Sequence, residues 1–162
     1  MPPVSLVLLL SFFFAPQAAD TTLPPGGVQP VRVVEGRGVQ IYECRQQEAK
    51  FGWVFIAPEA RLLEQTTHDE VGSHGAGPTW TWKDGSSITG KVKERSSSPD
   101  ADSIPWLLLE ASRKSGVGVL SDVAWVRRSD THGGNAPATG CDAGHAGQTV
   151  RVPYTAIYSF YK

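Results

Sequence analysis

The chain has 162 residues, 15 basic and 16 acidic side chains, a net charge of −1 and 40% hydrophobic residues. That length suits one domain with its own core, and the balanced charge offers no basic face for phosphates, so nucleic acid is not an expected partner. Seventeen Gly and twelve Pro suit short strands joined by turns and exclude a protein built on long helices.

Val4 to Phe14 is almost wholly apolar and is followed by Ala15-Pro16-Gln17-Ala18-Ala19. An apolar stretch of about 7–15 residues before small residues is the pattern of a secretory signal peptide. Pro16 and Asp20 end the run short of the about 20 residues that a membrane span needs. The expected division is therefore a leader over residues 1–19, an extended Pro/Gly-rich arm over 20–30, and a single β domain over 31–162. The alternative is an uncleaved N-terminal anchor, since no Lys or Arg precedes the apolar run. A leader of this kind places the mature protein in a secreted or periplasmic location, with no stable membrane span after cleavage.

Beyond the arm, Gly38 to Cys44 alternates with period two, as a half-buried strand does. Trp53 to Ala57 is a short apolar run that suits a buried strand, and Pro58 to Leu63 suggests a helical turn or a bend. Thr79-Trp80-Thr81-Trp82 and Ser87 to Val92 flank Asp84-Gly85, the best hairpin signal in the chain. Ser96 to Asp100 is a polar loop; in Ile104 to Ala111 the Leu and Ala content favours helix while Pro105 and the short length favour a strand, the reading adopted, and Leu120 to Arg128 reads as another strand. Thr131 to Gly147 is expected to be a long loop, and Thr149 to Tyr161 a strand with Tyr154, Ala156, Tyr158 and Phe160 on one phase. Seven or eight short strands with little helix imply an all-β antiparallel sandwich or barrel.

Two cysteines, Cys44 and Cys141, complete the sulfur inventory apart from one Met. An even pair in an exported domain reads first as a disulfide between an early strand and a late loop, with two free thiols as the alternative.

His68-Asp69-Glu70 and His74 make the most unusual segment, followed by Gly75-Ala76-Gly77-Pro78. A spacing of six between the histidines matches no short zinc motif, so no metal is expected; one that did bind would draw on His68, His74, His132 and His145. No Gly-x-Ser-x-Gly elbow occurs, and Gly36-Arg37-Gly38 lacks both a third glycine and a following helix start. Neither nucleophilic catalysis nor a dinucleotide cofactor is indicated, and no cofactor is expected. In Thr79-Trp80-Thr81-Trp82 the two indoles share one sheet face. They read as core filling, with an exposed platform for a sugar or peptide as the alternative.

Several of these motifs stand together in one family. Tyr42-x-Cys44, Trp53-x-Phe55-x-Ala57-Pro58-Glu59-Ala60, His74-x-Ala76-Gly77-Pro78-Thr79-Trp80, Asp84-Gly85-Ser86, Ile104-Pro105-Trp106, Thr131-x-Gly133-Gly134 and Val152-Pro153-Tyr154 resemble a secreted domain-of-unknown-function family of bacteria and fungi, DUF3455. The resemblance covers most of the mature chain. It implies export and a single domain, and brings with it no activity, cofactor or catalytic residue.

The expected role is binding at the cell envelope or outside the cell, with a glycan or an envelope component as partner. Loops on a rigid sheet are where contacts concentrate, so the expected surface joins residues 68–78 to residues 131–147. Its candidate contacts are His74, Trp80, Asp84, Thr131 and His132. The alternatives are a secreted, metal-assisted enzyme using His74 with Asp69 or Glu70, and a carbohydrate-binding module. Intact-mass measurement of the exported protein is expected to show a chain cut after Ala18 or Ala19; a mass that retains Met1 to Phe14 would refute the leader.

Overall fold

A computed structural model describes residues 20–162; the expected leader, 1–19, lies outside the described residues. Eight strands run in order: β1 (Pro30–Gln47), β2 (Lys50–Glu64), β3 (Glu70–Gly75), β4 (Thr79–Trp82), β5 (Ser87–Ser96), β6 (Trp106–Ser115), β7 (Trp125–Gly133) and β8 (Thr149–Tyr161). Each pairs antiparallel with its sequence neighbour, and β8 returns to β1, so the sheet closes into a barrel. Helix among the described residues is confined to two single turns, Pro25–Gly27 and Ala143–His145. The open choice between sandwich and barrel resolves as a barrel, because closure removes the edges that a lone sheet of this length would expose.

Period two sorts the side chains. In β1, Val34, Gly36, Gln40, Tyr42 and Cys44 face inward; in β8, Tyr154, Ala156, Tyr158 and Phe160 do the same. Outward positions carry Arg37–Glu35, Arg45–Glu43 and Arg151–Glu59 ion pairs.

Three stretches depart from the expectations. Pro58 to Leu63 is neither helical turn nor bend but the second half of β2, with Pro58, Ala60 and Leu62 facing in against Gln40, Gly38 and Gly36. Proline is tolerated there beside a bulge: Ile41 pairs with Ala57 and Tyr42 with Phe55, which leaves Ile56 as the extra residue. At the bulge Phe55 and Ile56 are both exposed, so the run read as buried carries two apolar side chains in solvent. Second, β7 starts at Trp125 rather than Leu120; residues 116–124 form turns, with Leu120 and Val123 fully buried in the core cluster. Third, the segment read as a loop around His74 contains β3, with Gly72 and His74 on its inward phase.

The barrel's two ends differ. At one end lie the β2–β3, β4–β5 and β6–β7 connections, and Val34, Leu62, Trp82, Ile88, Leu120, Val126 and Phe160 fill the interior. The β4–β5 turn holds the plug: Asp84 Oδ2 accepts from the Val119 amide at 2.7 Å and Ser86 Oγ accepts from the Leu120 amide at 3.1 Å.

At the opposite end, Cys44 on β1 is bonded to Cys141 in the β7–β8 loop, with Cα atoms 5.3 Å apart. The loop is held further by the Cys44 amide donating to the Gln148 carbonyl and the Gly147 amide donating to the Cys44 carbonyl, each at 2.8 Å. The bridge spans 97 residues, a loop long enough for a substantial constraint on the unfolded chain. Replacing both cysteines by Ala is expected to lower the unfolding free energy by about 2–5 kcal/mol in urea denaturation. A loss well below that range would show that the main-chain bonds at Cys44 suffice to hold the loop.

Candidate functional site

The end that carries the disulfide is open. Within it lies a cavity of about 430 Å³, walled by Gln40 and Tyr42 from β1, His74 from β3, Trp80 from β4, Leu107 and Leu109 from β6, Arg128 from β7 and Tyr158 from β8. Sites for small molecules are commonly about 300–1,000 Å³. Phe55, Ile56 and Val92 also line it, and they are 50%, 40% and 43% exposed. Three of the large apolar side chains left in solvent therefore gather on one rim.

Inside, aromatic rings interlock. The His74 imidazole stacks on Trp80 with centroids 4.4 Å apart and planes 8° from parallel, and Tyr158 meets both rings edge-on. Tyr158 can lie here because Gly36 faces it: a Cβ at Gly36 would fall 2.3 Å from a Tyr158 ring carbon. The Tyr154 and Tyr158 hydroxyls are 3.1 Å apart. Burial pushes both phenols up in pKa.

His74 Nδ1 lies 3.0 Å from the Thr79 carbonyl oxygen. A carbonyl only accepts, so Nδ1 carries the proton and Nε2 the lone pair. Burial lowers the His74 pKa to about 4; the Thr79 bond opposes that shift and the Arg128 charge reinforces it. His74 is therefore a neutral ring at pH 7.

Arg128 is the charged element of the site. Its Nε and Nη2 donate to the Pro105 carbonyl at 3.1 and 2.8 Å, which fixes the guanidinium beside the cavity. Thr131 Oγ1 donates to the Ile104 carbonyl at 2.6 Å, so two β7 side chains anchor the Ile104-Pro105 segment of the wall. Three buried donors among the described residues, Gln40 Nε2, Trp80 Nε1 and Trp106 Nε1, have no hydrogen-bond partner, and the first two belong to residues of the wall.

Of the residues singled out in the sequence, His74 and Trp80 meet in this cavity. Asp84 lies in the β4–β5 turn at the packed end, where bonds from Ser86 and the Val119 amide hold its carboxyl below the usual range. Thr131 acts from behind the wall. His132 is exposed 3.4 Å from Asp100, His68 stands in the β2–β3 turn 4.0 Å from Glu35, and His145 lies 2.7 Å from Asp142. Among the described residues no three His, Cys, Asp or Glu side chains gather as metal ligands. The surface expected from residues 68–78 and 131–147 is divided by the topology, since the turn at His68 lies at the packed end and the β7–β8 loop at the open one. Trp80 and Trp82 are buried, each edge-on to Phe160, and present no exposed platform.

The sequence reading missed Gln40, Tyr42, Arg128 and Tyr158 as site residues. The usable signal was a polar group on an inward phase: Gln40 keeps step with Tyr42 and Cys44, and Arg128 with Val126.

The family model described as "Protein of unknown function (DUF3455)" matches residues 24–71 and 65–162, so the chain belongs to that family. No curated protein and no solved structure matches the chain.

Because the folded His74 pKa of about 4 lies below the ordinary 6.5, burial of the neutral ring contributes fully above pH 6.5. That contribution is lost as the pH falls towards 4. Unfolding free energy is expected to drop about 2 kcal/mol more between pH 7 and pH 5 in the wild type than in His74→Gln. Equal slopes in urea titrations would place the imidazole in contact with water.

Proposed function

We propose that this member of the DUF3455 family is an exported binding protein whose open barrel end takes up a small molecule with an apolar body. The observation that carries the reading is the ring of exposed Phe55, Ile56 and Val92 around the mouth of the His74–Trp80 cavity. Apolar side chains left in water around a concave, aromatic-lined space are the signature of a ligand site. Export is supported by the apolar run at Val4 to Phe14 and by the Cys44–Cys141 bond, which suits an oxidising compartment. The Arg–Glu pairs on the outer face suit a barrel surrounded by water, since a membrane barrel turns an apolar band outward. The contacts of His74, namely the Thr79 carbonyl, Trp80 and Tyr158, suit a wall residue better than an acid–base catalyst, which needs a group to exchange protons with.

The test uses Nile red, an uncharged apolar dye, followed by its fluorescence on titration with the purified protein. Saturable binding is expected, and Ile56→Glu with Val92→Glu should weaken it about tenfold while leaving the thermal unfolding midpoint in place. Absence of saturable binding, or equal affinity in the double variant, would overturn the reading.

A further inference from the structure

We propose that the natural ligand of the cavity is a small organic carboxylate, its anionic group received by Arg128 and its apolar body packed against Trp80, Ile104 and Leu109. This deepens the binding role proposed above and rests on it.

The lining contains two cations, Arg95 and Arg128, and no Asp or Glu. Neither arginine has a carboxylate within ion-pair distance among the described residues, although ten other ion pairs form. Arg95 is exposed at the rim, where water screens it, whereas Arg128 is half-buried. Arg128's charge reaches Tyr42, His74, Tyr154 and Tyr158, all of them inward groups of the same barrel end. A guanidinium among aromatic rings without a counter-ion is electrostatically incomplete.

Its orientation is set as well. Both bonds to Pro105 come from the Nε and Nη2 side of the fork, and the Tyr158 hydroxyl is a further side-chain partner of the guanidinium. The guanidinium is thus the one half-buried charge of the cavity wall that no anion of the described chain balances. An oxyanion on the guanidinium supplies the missing countercharge.

Carboxylate is favoured over phosphate by the charge available. The neutral His74 adds no second positive charge inside, so the interior offers one fixed cation, which matches a singly charged planar group on the guanidinium fork. A doubly charged phosphate would remain half-compensated in the same aromatic surroundings. The rest of the wall is Trp80, Ile104, Leu107, Leu109 and Pro58, which calls for an apolar body on the acid.

Calorimetric titration with 2-naphthoate and its uncharged twin, 2-naphthalenemethanol, tests this, because the two share one body and differ in charge. The wild-type protein is expected to bind the carboxylate about tenfold or more tightly than the alcohol. Arg128→Gln should reduce that preference to near unity, and Arg128→Lys should restore part of it. Should Arg128→Gln fail to fold for want of its Pro105 bonds, the wild-type comparison decides alone. Equal affinities for the two compounds in the wild type, or a preference that survives in folded Arg128→Gln, would overturn the carboxylate assignment. Either result leaves the cavity reading intact if Nile red still binds. Failure of all three compounds to bind overturns both.

Discussion

Return of β8 to β1 is the constraint on which the rest of the molecule depends. β1 is paired along both edges, with β2 from Val34 to Gln47 and with β8 from Pro30 to Glu43. That double pairing leaves it no freedom to slip, because a shift by one residue would carry Val34, Gln40, Tyr42 and Cys44 from the inside to the outside. It also explains the glycines at 36 and 38, read in the sequence only as an incomplete nucleotide fingerprint. A Cβ at Gly38 would fall 2.0 Å from the Glu59 carbonyl oxygen, and one at Gly36 would strike Tyr158. Small residues let neighbouring strands and a large ring approach where the wall is tightest.

Closure also creates the contrast between the two ends. Eight strands enclose a space that side chains just fill or that holds one small ligand. At the packed end the β6–β7 turns supply Leu120 and Val123 as a plug, held through Asp84 and Ser86. At the open end the corresponding positions carry Gln40, His74, Arg128 and Tyr158. A core chosen for stability alone would place aliphatic groups there, since unpaired buried donors are unfavourable. Departures from good packing that gather at one place mark function, and here they gather in one cavity beneath one apolar rim.

How much of this was legible in the sequence depends on how far each feature is local. The phase of β8 from Tyr154 to Phe160 and the Asp84-Gly85 hairpin are set by neighbouring residues, and both were readable. The Cys44–Cys141 bond was readable because only one intramolecular pairing exists and an oxidising compartment would favour it. β3 was hidden because its inward positions are Gly72 and His74, neither of which signals burial. The extension of β2 through Pro58 depends on a bulge in its pairing with β1, and a bulge is a property of two strands that neither segment displays alone. The cavity is further removed still, since it exists only once all eight strands have been brought around one axis. Yet its most informative members, Gln40 and Arg128, were visible as polar residues in step with apolar neighbours, a mismatch of chemistry and phase that outweighs any loop motif in this chain.

The disulfide and the cavity are parts of one arrangement. The β7–β8 loop lacks regular pairing of its own over residues 134–148, apart from one single turn, and an untethered loop of that length would sweep across the mouth. Four ties prevent this: the Cys44–Cys141 bond, the main-chain bonds at Cys44, the Trp53 Nε1 bond to the Thr139 carbonyl at 2.9 Å, and the Tyr42 hydroxyl bond to the Gly134 carbonyl at 2.6 Å. Tyr42 is itself a cavity wall and stacks edge-on with Phe55 of the rim. Fixing the loop therefore fixes a wall and, through it, the apolar entrance. On the proposed binding role, a mouth ordered before the ligand arrives gives up less conformational freedom on binding, so the covalent tie would serve affinity as well as stability.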